Sequence, residues 1–289
     1  MNKLALGTVQ FGLAYGVANT SGCLTIQEAA RVLQASKLSG IDTLDTAVAY
    51  GRSEETLGQL GIGGWKVVTK LPAIPSDCPD VARWVEAQVR GSLGRLRVDR
   101  LNGLLLHRPG DLLGAAGPAY LSALDELKAC GLVDKVGVSI YAPDELDSLF
   151  ALRRFDMVQA PISILDQRMI RSGWTRRLAA EGVELHSRSA FLQGLLLMPE
   201  TARPERFSRW RSTWQAWASW LGETGLTPLQ ACLGFALSVE GVDRVVVGVD
   251  GVAHLEEILR ESTSQLPSLP AWPEPVDPIL LNPSLWNPS

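Results

Sequence analysis

Four side chains in the first half of the chain, Asp45, Tyr50, Lys70 and His107, are of the types that together move a proton to a carbonyl oxygen. A phenol alone ionises near pH ~10 and is a poor proton donor at neutral pH. An ammonium beside it stabilises the phenolate. That ammonium is costly in a low-dielectric cleft unless a carboxylate pairs with it. A neutral imidazole can donate a hydrogen bond to an alkoxide as it forms. Lys70, Asp45 and His107 supply these three partners, and Tyr50 supplies the phenol. Each has a plainer use when taken singly. A strand-end Asp often caps a helix, a lysine is usually solvated, and a lone histidine is more often structural. Their joint placement at the ends of successive apolar runs gives them weight.

Those runs are residues 4–8, 41–47, 65–70, 101–107, 133–139, 155–161, 183–189 and 242–248. They are continuously apolar rather than alternating, as parallel strands buried on both faces should be. Amphipathic segments separate them, several with recognisable starts. Thr25 followed by Glu28 reads as a capping box. Ser53 with Glu54 and Glu55 reads as an N-cap with an acidic first turn. Pro143 reads as the first residue of a further helix. Eight strand–helix units satisfy a closed (β/α)8 TIM barrel in a single domain over residues 1–289. An open doubly wound sheet would need similar units, but no strand leads into a GxGxxG turn. In a barrel, the C-terminal strand ends form the mouth, and Asp45, Lys70 and His107 sit at three of them with Tyr50 just beyond.

Two segments fall outside the repeat. Residues 205–225 carry Trp210, Trp214, Trp217 and Trp220 at helical spacing, which reads as a packing stripe with a lesser share in lining the pocket. The proline-rich tail, 266–289, reads as an irregular strap anchored by Trp272 and Trp286, with a pocket lid as the lesser alternative.

Composition narrows the function classes. The chain is 46% hydrophobic and 20% charged with a formal net charge of −4, and it has no Lys/Arg stripe, so nucleic acid is not an expected partner. No uninterrupted apolar run approaches a membrane span, and the start MNKLALGTVQFG lacks a signal peptide's apolar core, so a cytoplasmic protein is expected. Cys23, Cys78, Cys130 and Cys232 form no CxxC pair and read as free thiols. With no HExxH or EF-hand pattern, no metal is expected.

The stretch Asp45-Thr-Ala-Val-Ala-Tyr50-Gly51, with Ser53-Glu54-Glu55 and Leu57-Gly58, resembles the DTAxxYG…SE signature of the aldo-keto reductase family. Thr69-Lys70, Leu106-His107, Gly137-Val-Ser139 and Gly194-Leu195-Leu196 follow in the family's order, and the similarity runs from Leu6 to about Ile258. The resemblance implies an NAD(P)H-dependent oxidoreductase that reduces an aldehyde or ketone to an alcohol, and the short barrel loops, which leave an open mouth tolerant of polar substrates, point to a sugar-derived one. Tyr50 would be the general acid, Lys70 would tune it, Asp45 would hold Lys70, and His107 would orient the carbonyl. Ser139 and Gln159 would bind the nicotinamide carboxamide. Gly7, Thr8, Phe191, Leu192, Gly194, Gly248 and His254 would form the rest of the cofactor cradle. Gln10, Tyr15 and Arg108 are the candidate substrate contacts.

Three positions depart from the family pattern. Ile140 stands where an Asn is usual, and Arg188 stands where many members stack an aromatic ring on the nicotinamide. Asp250 stands in the loop where members that prefer NADPH place a basic residue for the 2′-phosphate. NADP(H) is the family's default, and Asp250 keeps NAD(H) open. A nucleotide-binding regulatory or redox-sensing subunit of the same fold is an alternative, as is a barrel lyase or isomerase. Oligomeric state and the direction of the physiological reaction leave no trace in the sequence.

Overall fold

The computed structural model describes residues 2–262, 267–269, 272 and 276–286. Eight parallel strands close into a barrel in sequence order: β1 (Leu4–Gly7), β2 (Thr43–Asp45), β3 (Lys66–Leu71), β4 (Leu101–Leu106), β5 (Val133–Ser139), β6 (Met157–Pro161), β7 (Glu184–Arg188) and β8 (Arg244–Gly248). Around them lie α1 (Ile26–Leu38), α2 (Ser53–Leu60), α3 (Val81–Leu96), α4 (Gly117–Ala129), α5 (Glu145–Leu152), α6 (Arg168–Arg171), α7 (Trp174–Ala180), α8 (Arg211–Thr224), α9 (Pro228–Ser238), α10 (Val252–Glu261) and α11 (Pro278–Leu281). The architecture is the (β/α)8 barrel that the sequence predicts. All eight expected strands are present, most of them a residue or two shorter than the apolar runs.

The register aligns the strand ends that matter. Gly7 pairs with both Asp45 and Gly248, Lys70 with Leu105, Ser139 with Gln159, and Pro161 with Arg188. Successive side chains along a strand alternate between the barrel's interior and the helical layer. One large core fills the space between strands and helices. A small separate cluster, Val68, Leu105 and Met157, plugs the barrel's interior below the mouth. Gly103 leaves room for that plug, because a Cβ there would lie 3.2 Å from Met157 Sδ and from Val68 Cγ2. Above the plug the inward positions turn polar, and the site begins.

Three helix starts differ from the sequence reading. Thr25 does cap α1 by accepting from Glu28 N, but the Glu28 carboxylate accepts from Val252 N at 2.8 Å instead of closing a capping box. It thereby ties α1 to the start of α10, where orphan amides favour an anion. Ser53 is the first residue of α2 rather than its cap, because its hydroxyl is engaged with Thr8. Pro143 precedes α5, since Glu145 Oε1 accepts from Tyr141 N and Ala142 N and holds a turn there, so the helix begins at Glu145.

α8 carries the tryptophan stripe. Trp214, Trp217 and Trp220 are buried, Trp210 is half-buried, and none of the four lines the main cavity. Their indole N–H groups reach backbone carbonyls of Phe207, Leu196 and Ser268 from Trp214, Trp217 and Trp220, so each buried donor is satisfied. The bond to Leu196 props the loop that follows β7. The tail lies partly outside the described residues. Its described part packs Trp286 edge-on against Phe207 at 4.9 Å between ring centres, and Asp277 accepts from Trp210 Nε1 at 3.0 Å. Among the described residues no helix is long and apolar enough to cross a membrane. The four cysteines are free.

Candidate active site

The mouth holds a cavity of about 660 Å³. Asp45 closes β2 at the wall of this cavity and is 3% exposed. Lys70, from the neighbouring β3, is 1% exposed, and its three N–H bonds all find acceptors: Asp45 Oδ1 at 2.7 Å, Thr46 O at 3.0 Å and Tyr50 Oη at 3.3 Å. Burial pulls the Lys70 ammonium down, but the Asp45 carboxylate, Tyr50 and the hydrogen bonds to both outweigh it and hold Lys70 above its ordinary value. The second oxygen of Asp45 accepts from Gln159 Nε2 at 2.6 Å. Both carboxylate oxygens are therefore fixed, one by a cation and one by an amide.

Tyr50 reaches this cluster through a turn made by close backbone contact. A Cβ on Gly12 would lie 1.9 Å from Tyr50 O, and Gly51 adopts φ +57° with its Cβ position 2.6 Å from Gly12 O. Only glycine at both positions lets the β1 and β2 loops touch and present the phenol. Ser53 and Thr46 brace the same turn, because Ser53 Oγ lies 2.7 Å from Thr8 O and 3.0 Å from Thr46 Oγ1. Glu54 is buried beneath it, accepting from Thr69 Oγ1 at 2.6 Å and pairing with Arg95 at 2.7 Å. The acidic pair that reads as a helix start thus contains one residue, Glu54, that locks α2 to β3 and α3. Nothing in the spacing identifies Arg95 as its partner.

His107 lies just past β4, edge-on to Tyr50 with ring centres 6.0 Å apart. Burial, followed by the charges of Lys70 and Arg188, pushes its pKa down to about 4 despite an opposing pull from Asp45. His107 is therefore a neutral imidazole at pH 7, able to donate one hydrogen bond without bringing a charge. Phenol, ammonium, carboxylate and neutral imidazole stand together as the sequence expects.

Of the expected cradle, Gly7, Ser139, Gln159, Arg188, Phe191, Gly194, Gly248, Asp250 and His254 line the cavity. Gln10 and Tyr15 line it as well. Two expected residues take other places, and a third, Thr8, lines the cavity with its hydroxyl already engaged. Leu192 is fully buried in the core and does not line the cavity, because its left-handed backbone (φ 50°) turns the side chain inward. Arg108 is exposed and outside the lining, since the chain enters a 3-10 turn at Pro109 that carries it away from the mouth. Thr8 borders the cavity, but it is fully buried and its hydroxyl donates to Asp45 O at 2.9 Å, so it holds β2 instead of offering a free donor.

The loop after β7 is built under strain. Ser189, Leu192 and Gln193 all adopt positive φ between 50° and 62°, a conformation costing each non-glycine residue roughly 1 kcal/mol. It is held from above by the β1 loop, because Val17 N donates to Gln193 O at 3.1 Å and Gln193 Nε2 donates to Tyr15 Oη at 2.9 Å. Asn19, in the same loop, donates to Asp250 Oδ1 at 3.0 Å and so fixes that carboxylate at the cavity rim. His254 Nδ1 accepts from Asp250 N. Asn19, Tyr141, Gln193 and Arg206 belong to the cavity wall without any signal in the sequence, and Trp286, read there as an anchor of the tail, joins them.

Residues of the cavity could hold a nicotinamide nucleotide. Gly7 and Gly248 leave bare backbone on its floor, where a Cβ on Gly248 would collide with Gln10 at 2.9 Å. Gln10 Oε1 is buried and has no partner among the described residues, an acceptor awaiting a donor. Ser139 and Gln159 add a hydroxyl and an amide at the tetrad's edge.

The profile of the Aldo/keto reductase family matches residues 3–268. A curated relative from Novosphingobium aromaticivorans, 6-dehydroglucose reductase, is 29% identical over 199 residues, which cover 62% of this chain. The match spans 64% of that relative's length. Among solved structures, a Pseudomonas aeruginosa protein described as an aldo-keto reductase is 27% identical with a TM-score of 0.67, covering 90% of this chain and 89% of that one. An aldo-keto reductase from Bacillus halodurans has a TM-score of 0.71 at 19% identity, covering 92% of this chain and 88% of that one, a likeness of fold.

Proposed function

The chain belongs to the aldo/keto reductase family, and from that premise we propose that it reduces an aldehyde or ketone, sugar-derived, to the alcohol with a nicotinamide nucleotide. The observation that carries this reading is the single ammonium of Lys70, bonded at once to Asp45 and to Tyr50 Oη beside a neutral His107. That arrangement is chemically suited to one task. His107 donates a hydrogen bond to a carbonyl oxygen and keeps it beside Tyr50. Tyr50 delivers its proton to that oxygen as negative charge develops, and Lys70 stabilises the phenolate left behind. Asp45, clamped by Gln159, keeps Lys70 charged through the transfer. The nucleotide, when bound, supplies the hydride to the carbonyl carbon.

Ser139 and Gln159 would hold the carboxamide, with Gly7, Gly194 and Gly248 giving the nucleotide close approach to backbone. A fixed carboxylate at the rim, Asp250 held by Asn19, disfavours a 2′-phosphate and suits a ribose hydroxyl. On that ground the reading favours NADH over the family's default. The relative named for a dehydroglucose supports a sugar-derived substrate.

The test is Tyr50→Phe, assayed for carbonyl-dependent oxidation of NADH and NADPH beside a titration of each by tryptophan fluorescence. Turnover should fall at least ~100-fold with cofactor binding kept. Wild-type turnover in the variant would remove Tyr50 from the chemistry. Cofactor binding with no carbonyl reduced by the unaltered protein would favour the nucleotide-sensing alternative.

A further inference from the structure

Arg188 ends β7 inside the mouth, half-buried, where its charge is one of the two strongest cationic influences on His107. Its guanidinium is held still. Nη2 donates to Ile140 O at 2.9 Å, Nη1 donates to Ser189 Oγ at 3.2 Å, and the plane lies over the Tyr141 ring at 4.7 Å. Two of its five N–H groups are thus used, and among the described residues the other three have no protein acceptor. Arg188 lines the cavity and its side chain is half-buried there. Among the described residues no carboxylate pairs with it. The two carboxylates lining the cavity are engaged elsewhere, Asp45 by Lys70 and Gln159, and Asp250 by Asn19.

A half-buried cation is costly without a counter-charge. Two hydrogen bonds hold the Arg188 guanidinium at the cavity wall. The counter-charge must arrive with a ligand. The reacting end of a nicotinamide nucleotide carries no negative group, so the anion belongs to the other reactant. One unpaired unit charge with a planar fork of donors matches one carboxylate in charge and geometry, whereas a phosphate dianion calls for more than one cation. We infer that this site takes a carbonyl substrate bearing a carboxylate, an oxo acid, and that Arg188 binds that carboxylate while Tyr50 and His107 engage the carbonyl. The inference rests on the reductase reading and narrows it from sugar-derived carbonyls to acidic ones.

The experiment compares 4-oxobutanoate with butanal, the same four-carbon aldehyde with and without a carboxylate, in the unaltered protein, Arg188→Gln and Arg188→Lys. The unaltered protein should favour the acid in kcat/KM by about tenfold or more, the range of one charge-assisted pair. The preference should shrink as salt is raised. Arg188→Gln should bring the acid-to-neutral ratio close to one, mainly through the KM for the acid, and Arg188→Lys should restore part of it. A ratio near one in the unaltered protein, or a preference that survives in Arg188→Gln, overturns the inference. A weakened NADH affinity in Arg188→Gln with the acid preference intact also overturns it and assigns Arg188 to the cofactor. If neither aldehyde is reduced, the reductase reading itself has failed. Calorimetric titration with succinate then judges Arg188 alone: binding lost in Arg188→Gln supports the carboxylate site, and equal or absent binding overturns it.

Discussion

Replacing Asp45 with Asn tests the centre of the site by removing one charge while keeping the shape. Lys70 is 1% exposed, and among the described residues its one anionic partner is the Asp45 carboxylate at 2.7 Å. In Asp45→Asn the ammonium keeps neutral acceptors at Thr46 O and Tyr50 Oη but loses its counter-ion. Stranding a buried charge in this way costs about 3–5 kcal/mol. The pH dependence supplies a second signature. In the native chain Lys70 is held above its ordinary value, so its contribution to stability is complete below the unfolded value near ~10.5. That contribution fades as pH rises through the still higher folded value. In the variant only Tyr50 still opposes burial, and burial is expected to depress the folded value below the unfolded one. The penalty is then present at neutral pH and relieved as rising pH removes the Lys70 proton. Urea denaturation at pH 7 and pH 9 reads both effects: a midpoint well below the native one at pH 7, and a gap that narrows at pH 9. A stability loss under about 1 kcal/mol with the same pH slope as the native chain would refute the reasoning. It would mean that Lys70 does not depend on Asp45 for its charge.

Two further outcomes follow from the site. Asp250→Arg replaces the carboxylate that Asn19 fixes at the rim and should raise affinity for NADPH relative to NADH by roughly tenfold or more; fluorescence titration with each cofactor reads it, and an unchanged ratio places Asp250 away from the ribose. His107, held down at about 4, stays neutral on folding while an exposed histidine protonates near ~6.5, so the unfolded chain binds the extra proton and stability should decline as pH falls from about 6.5 towards 4. His107→Asn should flatten that decline in acid denaturation, and an unchanged slope would count against burial as the cause.

Much of this protein was legible in the sequence because it depends on local or periodic order. Continuous apolar runs separated by amphipathic segments identify a parallel barrel, since only strands covered on both faces lack alternation. Asp45, Lys70 and His107 stand at strand ends, where barrel geometry alone aims them into one mouth. That inference needs only chain order, and the register of β2, β3 and β4 agrees with it. The limits were equally physical. A cap motif records which bonds a residue can make, not which partner reaches it first, so Glu28 went to α10 and Ser53 to Thr8. Leu192 and Arg108 sit beside true cavity residues, but one left-handed backbone and one 3-10 turn decide which way each faces.

Only the tertiary structure decided which charges find partners. Arg95 beneath Glu54, Asn19 on Asp250 and Gln159 on Asp45 are pairings across 41, 231 and 114 residues. Arg188 is an ordinary strand-end cation in the sequence, and it becomes an unpaired charge only when every carboxylate around it is seen to be engaged. The sequence by itself determined the barrel and the identity of the four polar groups at its mouth, because strand periodicity and side-chain chemistry are local properties. The electrostatic balance of the mouth depends on distances between loops far apart in the chain, and no local pattern encodes those.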